Sequence, residues 1–180
     1  MKDKIVIYAR KFRVYHRRIG YVFLIFFLII SVTGILLALK DVLHLKPEIV
    51  NTDSPNDSTW ISLKEIDSIS KDYIYNKIEL DTIIDRIDIR PTKGVAKVLF
   101  SNHFTELQID VSSGKILSVS SRVDTIIEKI HDGSIIDYFI TKSNISKITY
   151  SSLLSIGLIF MSISGFFLWY LQKKLKSRKQ

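Results

Sequence analysis

The sequence predicts an α+β membrane protein in which two transmembrane helices flank a small extracytoplasmic α+β domain with an antiparallel sheet. Three observations carry this expectation. Two uncharged apolar runs, Ile19–Leu39 and Ile148–Gln172, are each bounded by basic residues. Positive charge gathers outside them, and the stretch between them carries short alternating segments punctuated by glycine.

The chain of 180 residues is 47% hydrophobic, and the two runs hold the excess. A helix rises ~1.5 Å per residue and the hydrocarbon core is ~30 Å thick, so about 20 apolar residues suffice to cross it. Both runs meet that length. Burying them instead as core helices would need a large soluble domain around them, which the rest of the chain does not offer. The first run lacks the small-residue cleavage site and the short h-region of a signal peptide, and reads as an uncleaved anchor.

Charge sets the expected orientation. Lys2, Lys4, Arg10, Lys11, Arg13, Arg17 and Arg18 precede the first run against Asp3 alone. Lys173, Lys174, Lys176, Arg178 and Lys179 follow the second with no acid, while residues 41–147 hold thirteen basic against seventeen acidic residues. Basic loops remain cytoplasmic, so both termini are expected inside and the middle outside. The expected division is a cytoplasmic N-terminus 1–18, spans 19–39 and 148–172, a linker 40–59, the outer domain 60–133, a connector 134–147 and a cytoplasmic tail 173–180. The net charge of +8 hugs the spans, which argues for lipid contact and against nucleic acid. With no cysteine, disulfides, thiolate catalysis, thiolate-ligated zinc and a covalently attached haem are excluded.

Within the outer domain, Asp53–Thr59 has turn-forming composition. Ser62-Leu-Lys-Glu65 has the form of a capping box opening a helix from about Leu63 to Tyr75. Ile84–Arg90, Val95–Ser101, His103–Asp110 and Lys115–Ser121 read as strands of a meander, joined by turns at Gly94 and Gly114. On the third strand Leu107 and Ile109 share the face expected to meet the helix; Glu106, Gln108 and Asp110 share one expected to meet water. Val123–Ile130 is helical in pattern, with Gly133 as its stop. Asp85, Arg86, Asp88 and Arg90 are expected to form cross-strand ion pairs. The spans resemble each other in Ser31-Val-Thr-Gly-Ile-Leu-Leu37 and Ser162-Ile-Ser-Gly-Phe-Phe-Leu168, whose glycines Gly34 and Gly165 would permit close helix approach. Trp169 and Tyr170 read as an aromatic belt.

These motifs carry a family resemblance. Tyr15-His-Arg-Arg-Ile-Gly20, Thr33-Gly-Ile-Leu-Leu37 and Lys40 resemble the first span of PepSY-associated transmembrane proteins. Ile87-Asp-Ile-Arg-Pro-Thr-Lys-Gly94 with Lys97, Phe100, Gln108-Ile-Asp110 and Gly114 resemble their PepSY domain. Ile130-His-Asp-Gly133 and Ser164-Gly-Phe-Phe-Leu-Trp169 resemble their final helix. The resemblance implies a membrane anchor carrying an extracytoplasmic PepSY module, in the cytoplasmic (inner) membrane of a bacterium. Longer, four-span relatives are linked to siderophore-iron reduction with b-type haems, and other PepSY domains act as inhibitors or folding aids in peptidase propeptides.

Histidines are the candidate ligands. His16 precedes the first run and stands four residues before Gly20, where a flat ligand could fit over the missing side chain. The alternative is an interfacial polar residue beside Arg17 and Arg18. His131 reads either as a helix-ending residue at the negative end of the dipole or as a haem ligand oriented by Asp132 or Asp137. Because the two lie on opposite sides of the membrane, one chain cannot bring both to one iron, whereas a homodimer could pair like with like. His44 is a weaker partner for His131, and His103 reads as a surface residue. No zinc, nucleophile-elbow or phosphate-loop motif is present, which leans against an enzyme. The leading expectation is a non-catalytic protein whose PepSY module binds a membrane or periplasmic protein partner or a ligand, with an accessory role in iron or siderophore handling. The alternatives are a b-type haem electron-transfer protein using His16 and His131, and a modulator of an extracytoplasmic protease.

Overall fold

The computed structural model describes residues 2–52, 60–141 and 143–177, so the turn-forming stretch 53–59 lies outside the described residues. The chain divides into a helical unit, residues 1–35 with 129–180, and a lobe, Leu36–Glu128.

In the lobe, helix α2 (Leu63–Tyr73) begins at the expected capping box. Ser62 Oγ accepts from the Glu65 amide at 3.2 Å, and Glu65 Oε2 accepts from the Ser62 amide at 2.7 Å. These bonds occupy two amides that a helix start otherwise leaves without partners. The exposed Glu65 carboxyl is held below its ordinary range by them. One π-helical turn, Ile74–Ile78, extends α2 and keeps Ile74 buried.

Strands β1 (Ile84–Arg90), β2 (Val95–Phe100), β3 (Thr105–Asp110) and β4 (Ile116–Ser121) form one antiparallel sheet in sequential order. Short turns explain that order, since antiparallel neighbours need only a hairpin. Gly114 closes the β3–β4 turn at φ +71°, and a Cβ there would come within 2.8 Å of Ile69 on α2. The core is Ile66 and Ile74 against Ala96, Val98, Phe100, Leu107 and Ile109, as the alternation predicts.

The opposite face of the sheet differs from the expectation. Lys97, Glu106 and Gln108 are 2%, 0% and 0% exposed, so this face does not meet water. Residues 45–52 lie across it. The Gln108 side-chain amide donates to the Glu48 carbonyl at 2.9 Å, and its oxygen accepts from the Val50 amide at 3.0 Å. Thr52 bonds the Lys93 carbonyl, and the Asp124 amide donates to the Leu45 carbonyl at 3.0 Å. Beneath this strap, Lys97 Nζ lies 2.8 Å from Glu106 Oε2, close but not aligned as a hydrogen bond, and Arg122 Nε is 3.7 Å from the same oxygen. Gln108 Nε2 donates to Glu106 Oε1 at 2.9 Å. These buried charges are tolerated because each faces an opposite charge, and Gln108 adds a hydrogen bond to the carboxylate. Arg86 pairs along its own strand with Asp85 and Asp88 at 3.8 and 3.5 Å, not across strands.

In the helical unit, α1 (Lys2–Ala38) and α5 (Ile145–Ser177) are both longer than the apolar runs. Val6–Ala38 and Ile145–Lys174 are long and apolar enough to cross a bilayer, and only 6% and 22% of their most apolar windows are buried. A soluble core helix would be mostly buried, so these surfaces suit lipid. The helices pack antiparallel. Phe12 meets Phe167 with ring centroids 5.3 Å apart, Gly20 faces Met161, Phe23 lies over Gly157, and Phe26 meets Tyr150. On α5, Leu154, Gly157, Ser164, Leu168 and Leu171 form a buried seam with steps of three, seven, four and three residues, the stripe one helix presents to another.

Candidate functional site

The helical unit holds two crossed histidine–hydroxyl pairs. His16, on α1, places Nδ1 2.7 Å from Ser164 Oγ on α5. His131 ends α3 (Val123–His131) and places Nδ1 2.8 Å from Thr33 Oγ1 on α1. The Thr33–Gly34 and Ser164–Gly165 dipeptides, which correspond in the two similar span segments, are therefore the two sites that receive a histidine. Thr33 and Ser164 are buried, and both imidazoles are half-buried.

The carbonyls beside each hydroxyl favour one ring tautomer. Thr33 Oγ1 donates to the Ile29 carbonyl at 2.6 Å, the back-bond a mid-helix threonine makes to the preceding turn. With its one proton on that carbonyl, Oγ1 accepts from His131 Nδ1–H. Ser164 Oγ donates to the Met161 carbonyl at 3.2 Å and accepts from His16 Nδ1–H in the same way. A neutral ring of this tautomer carries its lone pair on Nε2. Among the described residues, neither Nε2 has a hydrogen-bond partner.

The flanking glycines shape the floor under each ring. A Cβ on Gly34 would stand 3.5 Å from His131 Cε1, and one on Gly165 3.6 Å from His16 Cε1. Alanine would fit there, and a longer side chain would displace the ring. The space beside Gly20 is filled by Met161, whose Cε would lie 3.0 Å from a Cβ at that glycine. His16 and Thr33 are seventeen residues apart on one helix, which places the two sites about 26 Å apart along it.

The polar shell around His131 differs from the expected one. Thr33, not Asp132 or Asp137, engages its second ring nitrogen. Asp132 accepts from Lys147 Nζ at 2.7 Å and from the Ser134 amide at 2.9 Å. Partial burial pushes the Asp132 carboxyl up, but these bonds outweigh burial and hold it below its ordinary range. Asp137 accepts from the Ser146 and Lys147 amides at 3.0 and 2.8 Å and so caps α5. Gly133 sits at φ +78° with Tyr150 against it; a Cβ would come within 2.6 Å of that ring. His44, exposed at φ +50°, lies 3.0 Å from Glu48, and His103 bonds the Asp81 carbonyl at 2.8 Å while stacking on Phe100.

Two long apolar helices, an α+β lobe between them and paired His–hydroxyl contacts describe the chain without naming it. The model of the PepSY-associated TM region family matches residues 7–173. The chain belongs to this family. It is a membrane protein, and its family match covers spans and lobe together. No curated protein and no solved structure gives a match.

Sequence reasoning noticed the Thr-Gly and Ser-Gly dipeptides but assigned them to close helix approach. Thr33 and Ser164 as histidine partners were missed. The signal was the repetition of a hydroxyl before glycine in both spans of a chain that also carries one histidine near each span.

Proposed function

We propose that this PepSY-associated membrane protein transfers electrons across the bacterial inner membrane, holding b-type haem through His16 near one end of its helix pair and His131 near the other. The observation that carries this reading is the pair of imidazoles whose Nδ1 atoms meet the Ser164 and Thr33 hydroxyls while Nε2 is left open. Histidines that ligate a metal characteristically donate their other ring proton to a fixed acceptor, which sets the tautomer and ring orientation. The donor set fits: imidazole is the common axial ligand of b-type haem, and Gly34 and Gly165 keep the rings close to helix backbone. Bound haem would supply reversible one-electron chemistry. The protein's part is to fix each ring's orientation, to withhold the second ring proton from solvent, and to hold the sites about 26 Å apart along α1.

That separation bars His16 and His131 from one iron within a chain. A two-fold homodimer supplies the missing ligands, pairing each histidine with its equivalent in a four-helix core. The orientation, with both termini cytoplasmic and the lobe extracytoplasmic, is supported by the basic residues flanking the spans. A ferric complex reaching the lobe's side of the membrane is the acceptor class that the family resemblance suggests. An accessory or protease-modulating lobe is the less favoured reading. One face of the sheet carries α2 and the other the 45–52 strap, which leaves edge strands β1 and β4 for such a partner.

The test is the visible spectrum of the protein purified from haem-replete membranes. A low-spin b-type spectrum is expected, with His16→Ala and His131→Ala each removing about half the haem and Thr33→Val shifting the potential of the His131 site. Colourless protein from such membranes sinks the proposal.

A further inference from the structure

Between His131 and α5 runs a helical segment, α4 (Ser134–Ile136) continued by a π-helical turn, Asp137–Thr141. Asp137 and Tyr138 turn toward the protein. Asp137 is buried and bonds the Ser146 and Lys147 amides, which ties the segment to the start of α5. Tyr138 is half-buried, with Lys129 Nζ 5.1 Å from its ring centroid.

Three of its apolar groups turn away. Ile136, Phe139 and Ile140, at i, i+3 and i+4, are 47%, 71% and 76% exposed. Residues at this spacing share one face of a helix, and a face this apolar is rarely left to water. The patch continues into the exposed Ile145 and Ile148 of the span that follows. Lys129, over Tyr138, and Lys147, paired with Asp132 and next to Ile148 in sequence, border it, and lysines beside an apolar face suit the level of lipid phosphates.

We infer that residues 134–141 form an interfacial membrane anchor, laying Ile136, Phe139 and Ile140 into the leaflet where α5 enters the bilayer. The occupant is phospholipid, because the patch is continuous with a lipid-facing span and carries cations at its margin. Through the tie from Asp137 to α5, the anchor holds the stretch carrying His131 at a fixed depth. This inference does not rest on haem.

The absence of cysteine makes the test direct. Ile140→Cys, in the full chain reconstituted into vesicles of phosphatidylethanolamine and phosphatidylglycerol, carries a nitroxide. Ile159→Cys in the span and Leu63→Cys on α2 are the lipid and water references; both residues are exposed. Collision with oxygen should exceed collision with a water-soluble nickel chelate, as at position 159. Dominance of the nickel chelate, as at position 63, overturns the inference. So does protection from both quenchers, or close nitroxide–nitroxide coupling between copies, which would assign the face to protein contact. Phe139→Cys provides a second site should Ile140→Cys fail to fold.

Discussion

Removing Lys97 should weaken the lobe far more than removing Lys97 and Glu106 together. Nζ and Oε2 lie 2.8 Å apart with side chains 2% and 0% exposed, and Gln108 Nε2 holds the other carboxylate oxygen at 2.9 Å. Lys97→Met leaves the Glu106 charge buried, which typically costs about 3–5 kcal/mol. Arg122 Nε, 3.7 Å from that oxygen, remains as a partial partner, so the lower end, about 3 kcal/mol, is expected. Glu106→Leu strands Lys97, while Arg122 keeps Asp124 at 2.7 Å; a loss near the upper end, about 5 kcal/mol, follows. The double variant places apolar side chains where a dry ion pair stood and should lose about 1 kcal/mol or less, against about 8 kcal/mol for the two single losses added, a coupling of about 7 kcal/mol. Hydrogen exchange of the β2 and β3 amides, in the full chain in nanodiscs, reads these differences. At about 1.4 kcal/mol per tenfold, Lys97→Met should raise the opening constant roughly a hundredfold. The reasoning fails if Lys97→Met changes exchange less than tenfold, or if the double variant loses as much as the two single ones added.

Two further outcomes follow from the geometry. Gly157→Ala would put a Cβ within 2.6–2.9 Å of the Phe23 ring, which is itself stacked on Phe27 at 5.5 Å. Overpacking of this kind costs about 1–3 kcal/mol, so the melting temperature in detergent should fall, while Gly34→Ala, with 3.5 Å of room, should melt as the parent does. Equal losses in the two variants would refute the packing argument. On acidification, Asp124 should control the start of α3. Burial raises its carboxyl pKa, but the hydrogen bond and charge of Arg122 override this and hold it below its ordinary value, and Asp124 in turn holds the Arg122 guanidinium above its own. A carboxyl depressed on folding contributes stability that is full above its unfolded pKa, about 3.9, and is lost as pH falls through the lower folded value. Circular dichroism between pH 5 and 2 should show an acid transition that Asp124→Asn blunts; an unchanged transition in that variant would refute the assignment.

The periodicity of the chain carried much of the architecture because periodicity is local. IDRIDIR alternates and becomes β1; Ser62 and Glu65 fall at capping-box spacing and start α2; two apolar runs imply two lipid-facing helices whatever surrounds them. Alternation also separated Leu107 and Ile109 from Glu106 and Gln108. It could not say that the second face would be dry, because dryness comes from residues 45–52, more than fifty positions earlier in the chain than Gln108, folding back over it. A polar strand face is solvated until another segment satisfies its hydrogen bonds, and no pattern within the strand encodes that segment's path.

The candidate site divides along the same line. Residue types near each span marked His16 and His131 as ligands worth weighing, and the repeated hydroxyl-glycine dipeptides stood in plain view. What only tertiary structure decided is that each histidine meets the dipeptide of the first or last span across 148 and 98 residues of sequence. That choice depends on the antiparallel register of two helices, set by contacts such as Phe23 over Gly157 and Phe12 against Phe167. A helix records in its own sequence which face is buried. Which residue of a neighbour arrives opposite a given hydroxyl is a property of the packed pair.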